Sequence, residues 1–263
     1  MKTKLLFACT LITVNLCAQN LNTEFGMAYN FMAPMGTMKN YIKAGHGLSL
    51  DYYMSRENSR FAFGAELNFV IYGHDKSEQL YTFPDGSTAN MDIVVDNTIT
   101  NLFFGSRYFL REPSSFRPFL SAKVGYSWYR TNLNIYDPDD FDNCEPVERD
   151  LLFKDGTFVL AGGAGFQYDL SSIFKKIDSD RFLFTLNATF ALGGQVTYMS
   201  TDSPTHHAPA KNDVHSSFIN TQTQVIHKHH IGYLYSSAAE LVEVRAGFIF
   251  RRMNAWSAPL RIR

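Results

Sequence analysis

The sequence predicts an all-β protein, an eight-stranded antiparallel up-and-down transmembrane β-barrel with short periplasmic turns and long extracellular loops. Three observations predict this fold class: eight runs of alternating apolar and polar residues, connections that alternate between short and long, and an N-terminal segment typical of export. Successive side chains of a strand point to opposite faces, so an alternating run forms a strand with one apolar face. Aromatic residues make up 15% of the chain while its mean hydropathy is only -0.17, as one-sided strands require.

The N-terminal segment predicts a secretory signal peptide over residues 1–18, exported through the Sec pathway. Two lysines precede a largely apolar run over 5–16, and the small residue Ala18 supplies the cleavage position. The run is too short for a membrane anchor, which needs about 20 apolar residues. A lipoprotein signal would acylate Cys17, but that signal requires a small residue before the cysteine, and Leu16 stands there.

Eight alternating runs follow the signal peptide. The third run, "RFAFGAELNFVIYG", places apolar side chains from Phe61 to Ile71 on one face and Glu66 and Asn68 on the other. The fifth run, "RPFLSAKVGYSWYR", and the seventh, "RFLFTLNATFALGG", alternate in the same way. Glycines on the polar face suit a narrow interior where strands curve. The predicted strands cover about 22–33, 44–56, 59–73, 96–111, 116–133, 156–170, 181–199 and 238–252.

The connections between these strands predict the architecture. Those after the second, fourth and sixth strands are short ("REN", "EPSS" and "SSIFKKIDSD"), and the first, "PMGTMKNYIKA", is intermediate. Long connections follow the third, fifth and seventh strands, over 74–95, 134–155 and about 200–237. This asymmetry is typical of outer-membrane barrels. It predicts a barrel over 19–252 and a short C-terminal periplasmic tail over 253–263.

A soluble β-sandwich or lipocalin-like barrel is the alternative fold. There the apolar face would point inward, and the strands would be shorter than these runs of about 12–18 residues. A tilted membrane crossing needs about 9–11 residues, and an apolar face unbroken over six positions suits a lipid-facing band. The pattern therefore favours the membrane barrel.

The sequence resembles the small eight-stranded outer-membrane barrels of Gram-negative bacteria, of the OmpA transmembrane-domain and OmpX type. The opening segment "FGMAYNFMAPMGTMKNYIKAGHGLSLDYYM" (25–54) also looks like the first hairpin of the "outer membrane protein beta-barrel domain" families. The resemblance implies a location in the cell outer membrane. Such barrels often end on a terminal aromatic residue, whereas this chain continues past Phe248 and Phe250 with "RRMNAWSAPLRIR".

The inward face of the predicted strands carries charges. A barrel of eight strands is just wide enough for its own side chains, so these charges must be paired, because an isolated buried ion costs several kcal/mol. A structural plug is expected, and a gated ion path is the alternative. The inward charges are Glu24, Asp51, Glu66, Arg107, Lys123, Asp169, Glu243 and Arg245, of which Glu66, Arg107, Lys123, Glu243 and Arg245 are predicted to form the lumen charge network.

The last long connection is rich in histidine. If "QVIHKHHIG" is extended, His227 and His229 face the same way, close enough for a two-point Zn²⁺ or Cu²⁺ contact. A protonation-sensitive surface and a plain polar loop are the other interpretations. The candidate metal ligands are His206, His207, His215, His227, His229 and His230.

A second candidate cation site is the acidic loop over 135–156. Dense carboxylates could bind Ca²⁺ or bridge divalent ions to lipopolysaccharide phosphates. The calcium-loop pattern is not satisfied, since Phe141 takes the fifth position, so a solvated loop is the better interpretation. The same loop holds Cys144, which is expected to be exposed and unpaired. The carboxylates in question are Asp137, Asp139, Asp140 and Asp142.

The sequence predicts no nucleic-acid partner, because the formal net charge is -1 and no basic run stands out. It also predicts no enzyme and no cofactor. A serine hydrolase needs a nucleophile, base and orienter in contact, and no spacing ties His74 to Ser216, Ser217 or His215. The expected role is structural, adhesive or accessory to an envelope complex. The expected partners of this monomeric barrel are outer-membrane lipid, lipopolysaccharide and an envelope or extracellular protein. A narrow channel for small solutes or ions is the second hypothesis, and a lipid-modifying outer-membrane enzyme is the third.

Overall fold

Nine β-strands and one short 3-10 turn (Met38–Asn40) make up the computed structural model. The structure describes residues 21–56, 59–82, 86–112, 114–137, 146–170, 182–201, 212–219 and 226–252. The predicted signal peptide (1–18) and tail (253–263) lie outside these residues. Within them, no helix is long and apolar enough to cross a membrane. The strands are β1 (Leu21–Pro34), β2 (Gly45–Arg56), β3 (Phe61–Thr82), β4 (Thr88–Phe109), β5 (Phe116–Tyr136), β6 (Glu148–Asp169), β7 (Phe182–Ser200), β8 (Asn212–Ile219) and β9 (Ile226–Arg252).

Eight of these strands close into a barrel. Neighbours in the sequence pair antiparallel from β1 to β7, then β7 pairs with β9, and β9 pairs with β1. Closure satisfies the backbone groups that an open edge would leave unpaired. Each predicted run lies in one of these eight strands, so the eight-stranded antiparallel up-and-down barrel is confirmed. The remaining strand, β8, pairs only with the first part of β9.

Much of the predicted loop structure is in fact strand. The connection 74–95 is mostly the continuation of β3 and β4, which stay paired up to Thr82 and Thr88. In the connection 134–155, β5 and β6 stay paired up to Ile135 and Glu148. The connection 200–237 contains β8 and the start of β9. The predicted strands end too early because these hairpins extend beyond the apolar band. An outer face in water needs no apolar residues, so the alternation of apolar and polar residues fades there. We refer to this end as the long-hairpin end and to the opposite end as the short-turn end.

The outer face of the barrel is a band of exposed apolar side chains. Phe158 is 75% exposed and Leu160 67% exposed, whereas most large apolar residues of water-soluble proteins are covered. The band continues around the wall, which makes it the lipid-facing surface of a transmembrane barrel. Other members include Phe25, Met27, Leu48, Tyr52, Phe63, Phe69, Phe104, Leu120, Val124, Phe190, Leu192, Phe248 and Phe250.

The interior is filled in layers. An aromatic cluster at the short-turn end contains Tyr53, Phe109 and Phe119. Charged side chains lie above it, since the Arg107 guanidinium sits 3.7 Å from the centre of the Tyr53 ring. A larger apolar cluster fills the next part of the lumen towards the long-hairpin end, and Phe103 belongs to it. The charges therefore lie between two apolar layers.

The first connection folds inward over this apolar layer. Met38 of the 3-10 turn is fully buried, and the Tyr41 ring stacks on Tyr235 with the ring centroids 4.0 Å apart. The chain enters the turn through Gly36, whose φ of 54° lies in the left-handed region that favours glycine. The loop covers the lumen mouth rather than extending away from it.

Candidate functional site

The charge network in the lumen is centred on the carboxylate of Glu66. Lys123 Nζ lies 2.6 Å and Arg245 Nη1 2.7 Å from its Oε2, and Arg107 Nη2 lies 3.2 Å from its Oε1. The Tyr53 hydroxyl donates a 2.8 Å hydrogen bond to the same Oε1. Both carboxylate oxygens of Glu66 therefore have hydrogen-bond or ion-pair partners in a fully buried site, and Glu66 connects these four side chains.

The strand register explains why these groups meet. Glu66 is paired with Asp51 across β2 and β3, so two carboxylates lie side by side on the inward face. Adjacent like charges repel unless cations lie between them. Arg107 Nη2 lies 2.6 Å from Asp51 Oδ2, and Arg245 Nη1 lies 3.4 Å from Asp51 Oδ1. Asp51 was predicted to face inward but not to belong to the network, although its parity was the available signal.

Glu243 is held by two side-chain amides. Its Oε1 accepts a 3.0 Å hydrogen bond from Asn101 Nδ2, and its Oε2 accepts a 3.3 Å bond from Asn68 Nδ2. The structure therefore links four of the five predicted network residues directly to one another, with Glu243 held by neutral donors. Neither asparagine was predicted to belong to the network. Both are uncharged residues on the inward face, and the prediction considered only charged side chains.

A second buried cluster lies nearer the short-turn end. Arg251 Nη2 lies 2.7 Å from Glu24 Oε1, and Gln167 Nε2 donates a 2.9 Å hydrogen bond to Glu24 Oε2. Arg251 Nη2 also donates a 3.1 Å bond to Gln167 Oε1. Sequence reasoning missed Arg251 because it stands at the end of the last strand. Its parity, shared with Glu243 and Arg245, was the signal that could have found it.

The buried charges balance within the described part of the chain. Arg251 and Arg117 add two bases to the three that were predicted, so five buried acids face five buried bases. The Arg117 guanidinium also lies 3.9 Å from the centre of the Phe109 ring. A set of buried ions with no net formal charge can remain in a narrow interior, where an isolated charge could not.

Tyrosines obstruct the lumen beyond the charges. The Tyr72 hydroxyl donates a 3.2 Å hydrogen bond to the Met199 carbonyl, which ties β3 to β7 across the mouth. The rings of Tyr72 and Tyr129 meet edge to face with their centroids 6.5 Å apart, and the hydroxyls of Tyr198 and Ser237 lie 2.9 Å apart. These side chains were not predicted to close the lumen, although Tyr72 shares the parity of Glu66.

Four of the six histidines of the predicted metal site lie on β8 and β9. His206 and His207 fall outside the described residues. His215 on β8 stands directly opposite His230 on β9, with ring centroids 5.5 Å apart. The register places His227 and His229 opposite Phe218 and Ser216. In the part of the chain that the structure describes, no group of three or more His, Cys, Asp or Glu side chains could hold a metal ion.

The structure describes only some of the remaining candidates. Asp137 follows the end of β5, while Asp139, Asp140, Asp142 and Cys144 lie outside the described residues. His74 Nδ1 lies 2.7 Å from Asp96 Oδ1 at the long-hairpin end. The structure does not describe the side chains of Ser216 and Ser217. Metal binding and the absence of catalysis therefore both stay predictions.

Comparisons with known proteins add likenesses of fold only. No protein-family model and no curated protein sequence matches the chain. Among solved structures it is similar to the outer membrane protein OprG from Pseudomonas aeruginosa (11% identity, TM-score 0.45, covering 89% of this chain and 97% of that one). It is also similar to Neisserial surface protein A (10%, 0.41, 88% and 96%) and to a major outer membrane protein from Thermus thermophilus (10%, 0.42, 88% and 99%). Such low identity transfers no activity.

Proposed function

We propose that this protein is an integral outer-membrane barrel whose lumen is closed and whose role is exerted by its long-hairpin end outside the cell. The role is structural, adhesive or accessory to an envelope complex. The observation that carries the proposal is the filled interior, where the charge network around Glu66 lies between two apolar layers and a second buried ionic cluster lies nearer the short-turn end. A protein built in this way offers its outer wall to lipid and its hairpins to partners.

The apolar band supports the membrane location. Its residues would contact the acyl chains, and the hairpins would lie at the level of lipopolysaccharide and beyond. Outer-membrane lipid and lipopolysaccharide are therefore the proposed partners of the wall, and an envelope or extracellular protein is the proposed partner of the hairpins. The location implies export through the Sec pathway.

The membrane barrel is tested by gel mobility. In outer-membrane fractions, the unboiled protein is expected to migrate differently from the boiled protein, because a closed barrel resists unfolding by detergent. An identical mobility in both samples, or recovery of the protein in the soluble periplasmic fraction, would contradict the proposal.

Orientation is tested by labelling single cysteines in a Cys144→Ser background. The two variants are Ser87→Cys and Ser59→Cys. Position 87 directly precedes β4 at the long-hairpin end, and position 59 lies in the turn between β2 and β3. A membrane-impermeant maleimide added to intact cells is expected to label position 87 only. Labelling of position 59 alone would reverse the proposed orientation. The same exposed cysteine then serves to crosslink protein partners in cells.

A narrow channel is the second candidate, because charged side chains line the lumen. The paired ions and the tyrosines across the mouth argue against it. In a planar bilayer the protein is expected to show no steady conductance of porin size, and such a conductance would overturn the closed lumen. A lipid-modifying enzyme is the third candidate, and release of acyl chains from lipid by the purified protein would support it.

A further inference from the structure

Two exposed cations stand side by side on the outer wall of the barrel. Arg130 on β5 is paired directly with Lys154 on β6, and both residues are exposed. Tyr129, the residue before Arg130, is fully buried in the lumen, and Lys154 shares the alternation of Phe158, which is 75% exposed. Both side chains therefore point outward. Directly opposed residues have Cβ atoms about 4.5–5.5 Å apart, so the two positive charges are immediate neighbours.

Neither cation forms an ion pair with an acid among the residues that the structure describes. Another exposed cation of the wall, Lys76, does have such a partner, since its Nζ lies 2.8 Å from Asp92 Oδ2. Like charges that stand directly opposite each other destabilise a pair of strands. The pair formed by Arg130 and Lys154 therefore lacks an anion that would compensate it.

The acids that stand closest along the neighbouring strands already have other partners. On β4, Asp96 Oδ1 lies 2.7 Å from His74 Nδ1. On β6, Asp155 accepts a 2.7 Å hydrogen bond from the backbone N–H of Gly156 and another of 2.7 Å from that of Thr197. Asp155 also has the inward parity, opposite to that of the two cations. The protein thus directs neither carboxylate to the cation pair.

The cation pair stands where the lipid-facing band ends. The outward positions of β5 run from the exposed Val124 through Tyr126 and Trp128, whose ring centroids lie 5.0 Å apart, to Arg130. Tyrosine and tryptophan concentrate where the apolar part of a membrane meets its head groups. Two residues along a strand span about 7 Å, so the cations lie just beyond this aromatic level, where the phosphates of membrane lipids lie.

The tyrosine of this aromatic level leans towards the cation pair. Tyr126 is paired with Phe158, yet a Cβ atom at position 156 would lie 2.5 Å from its Cε1 and 2.9 Å from its Oη. The ring therefore crosses Gly156 in the direction of the long-hairpin end, and its hydroxyl lies on the side of Lys154. A phenol hydroxyl can donate to an anionic oxygen, so a third donor group stands beside the two cations.

We propose that Arg130 and Lys154 bind a phosphate group at the lipid end of lipopolysaccharide. A phosphate compensates both charges at once, because the guanidinium can donate two parallel hydrogen bonds and the ammonium acts as a point charge. The acyl chains of the same molecule would lie on the apolar band below, against Phe158 and Leu160. A free anion in water would gain only the charge contacts. This inference rests on the proposed location and orientation of the barrel.

Tryptophan fluorescence tests the site, because Trp128 stands one outward position from the cation pair. The chain has two tryptophans, so Trp256→Phe leaves Trp128 as the only reporter and serves as the reference protein. The barrel is purified in a zwitterionic detergent, and the probes are phosphorylated lipid A, dephosphorylated lipid A and inorganic phosphate. The emission of Trp128 is expected to change with phosphorylated lipid A, at an affinity about tenfold higher than for the dephosphorylated form. Inorganic phosphate is expected to cause no change.

Variants in the reference protein assign the effect to the two cations. Arg130→Gln with Lys154→Gln is expected to weaken the affinity for phosphorylated lipid A about tenfold. Arg60→Gln with Lys76→Gln is the matched control, because it removes the same number of positive charges from exposed positions elsewhere and should bind like the reference. Lys154→Glu places an acid opposite Arg130. It is expected to lose binding and to raise the urea midpoint, because an attractive cross-strand pair replaces a repulsive one.

Several results would overturn the proposal. Among them are equal affinity for both forms of lipid A, an undiminished affinity of the Arg130→Gln and Lys154→Gln variant, and an equal loss in the matched control. A response to inorganic phosphate alone would assign the pair to a soluble anion instead. Heat-modifiable mobility shows that each variant is folded, and Lys154→Glu decides the case if the double variant is not. Phosphate-dependent binding by a barrel that is labelled only at position 59 in cells would contradict the proposed orientation and leave the site intact.

Discussion

At the scale of single residues, Glu66 is the centre of the interior. Three cations contact its carboxylate, and Asp51 stands beside it in the register. The acids and bases are not a set of independent pairs, because Arg107 and Arg245 each contact both carboxylates. Removal of one acid therefore leaves several cations under-compensated at once.

Glu66→Gln is expected to destabilise the barrel strongly. The substitution keeps the shape but removes the negative charge that compensates Lys123, Arg107 and Arg245 in a buried site, and breaking buried ion pairs typically costs about 3–5 kcal/mol. Urea unfolding of the barrel in lipid vesicles measures the loss. Glu112→Gln is the control, because that carboxylate is exposed and its 3.5 Å contact with Arg60 lies on the surface. Equal stability of the two variants would contradict the central role of Glu66.

The sequence predicted that these charges face inward and that five of them form a network, but not which atoms contact each other or that Asp51 belongs to it. The alternation along one strand assigns each side chain to a face, and it correctly placed Glu66, Arg107, Lys123 and Arg245 on the inward face. Their partners come from other strands, and the match depends on the shear of the closed barrel, which no single strand reveals.

At the scale of elements, the last strand closes the barrel and carries its own ionic contact. The Arg251 side chain on β9 binds Glu24 on β1 and Gln167 on β6. The contact therefore joins β9 to β1 across the seam between the first and last strands, and it also joins β9 to β6. Arg252, the next residue, is exposed and has the opposite parity.

Arg251→Met is expected to weaken this closure. The substitution leaves the buried Glu24 carboxylate without a cation, which should lower the free energy of unfolding by a few kcal/mol and slow refolding into vesicles. Arg252→Met is the matched control, one residue away on the outer face. The mobility shift on gels and urea unfolding measure both effects. A larger loss from Arg252→Met would place the closure contact elsewhere.

The β8–β9 hairpin is the element that the sequence did not predict. Its residues alternate weakly, because a hairpin in water gains little from an apolar face, and only the structure shows His215 opposite His230. Directly opposed cross-strand residues have Cβ atoms about 4.5–5.5 Å apart, close to the distance that a disulfide needs.

A crosslink tests that pairing. His215→Cys with His230→Cys, in a Cys144→Ser background, is expected to form an intramolecular disulfide under mild oxidation. Val214→Cys with His230→Cys is the control, because Val214 is paired with Gly232. Mass spectrometry with and without reductant measures the yield. A higher yield from the control pair would show a different register.

At the scale of the whole molecule, the proposed closed lumen has two levels. The charge network fills one level, and the apolar layer with Tyr72, Tyr129 and Tyr198 fills another towards the long-hairpin end. The sequence predicted only the first closure, because parity places a tyrosine on the inward face but does not show how far its ring reaches across the lumen. Two independent obstructions in series mean that loss of either one leaves the other in place.

Conductance in planar bilayers should therefore depend on both levels together. Glu66→Ala with Arg107→Ala alone, and Tyr72→Ala with Tyr129→Ala alone, are each expected to show no steady conductance, because the intact level still blocks the path. The combined variant is expected to conduct, provided that its mobility on gels remains heat-modifiable. A steady conductance from either partial variant would show that one level alone closes the barrel. In that case the charge network and the tyrosine layer would no longer be equivalent, and the level whose removal opens the pore would be the one that keeps the outer membrane sealed.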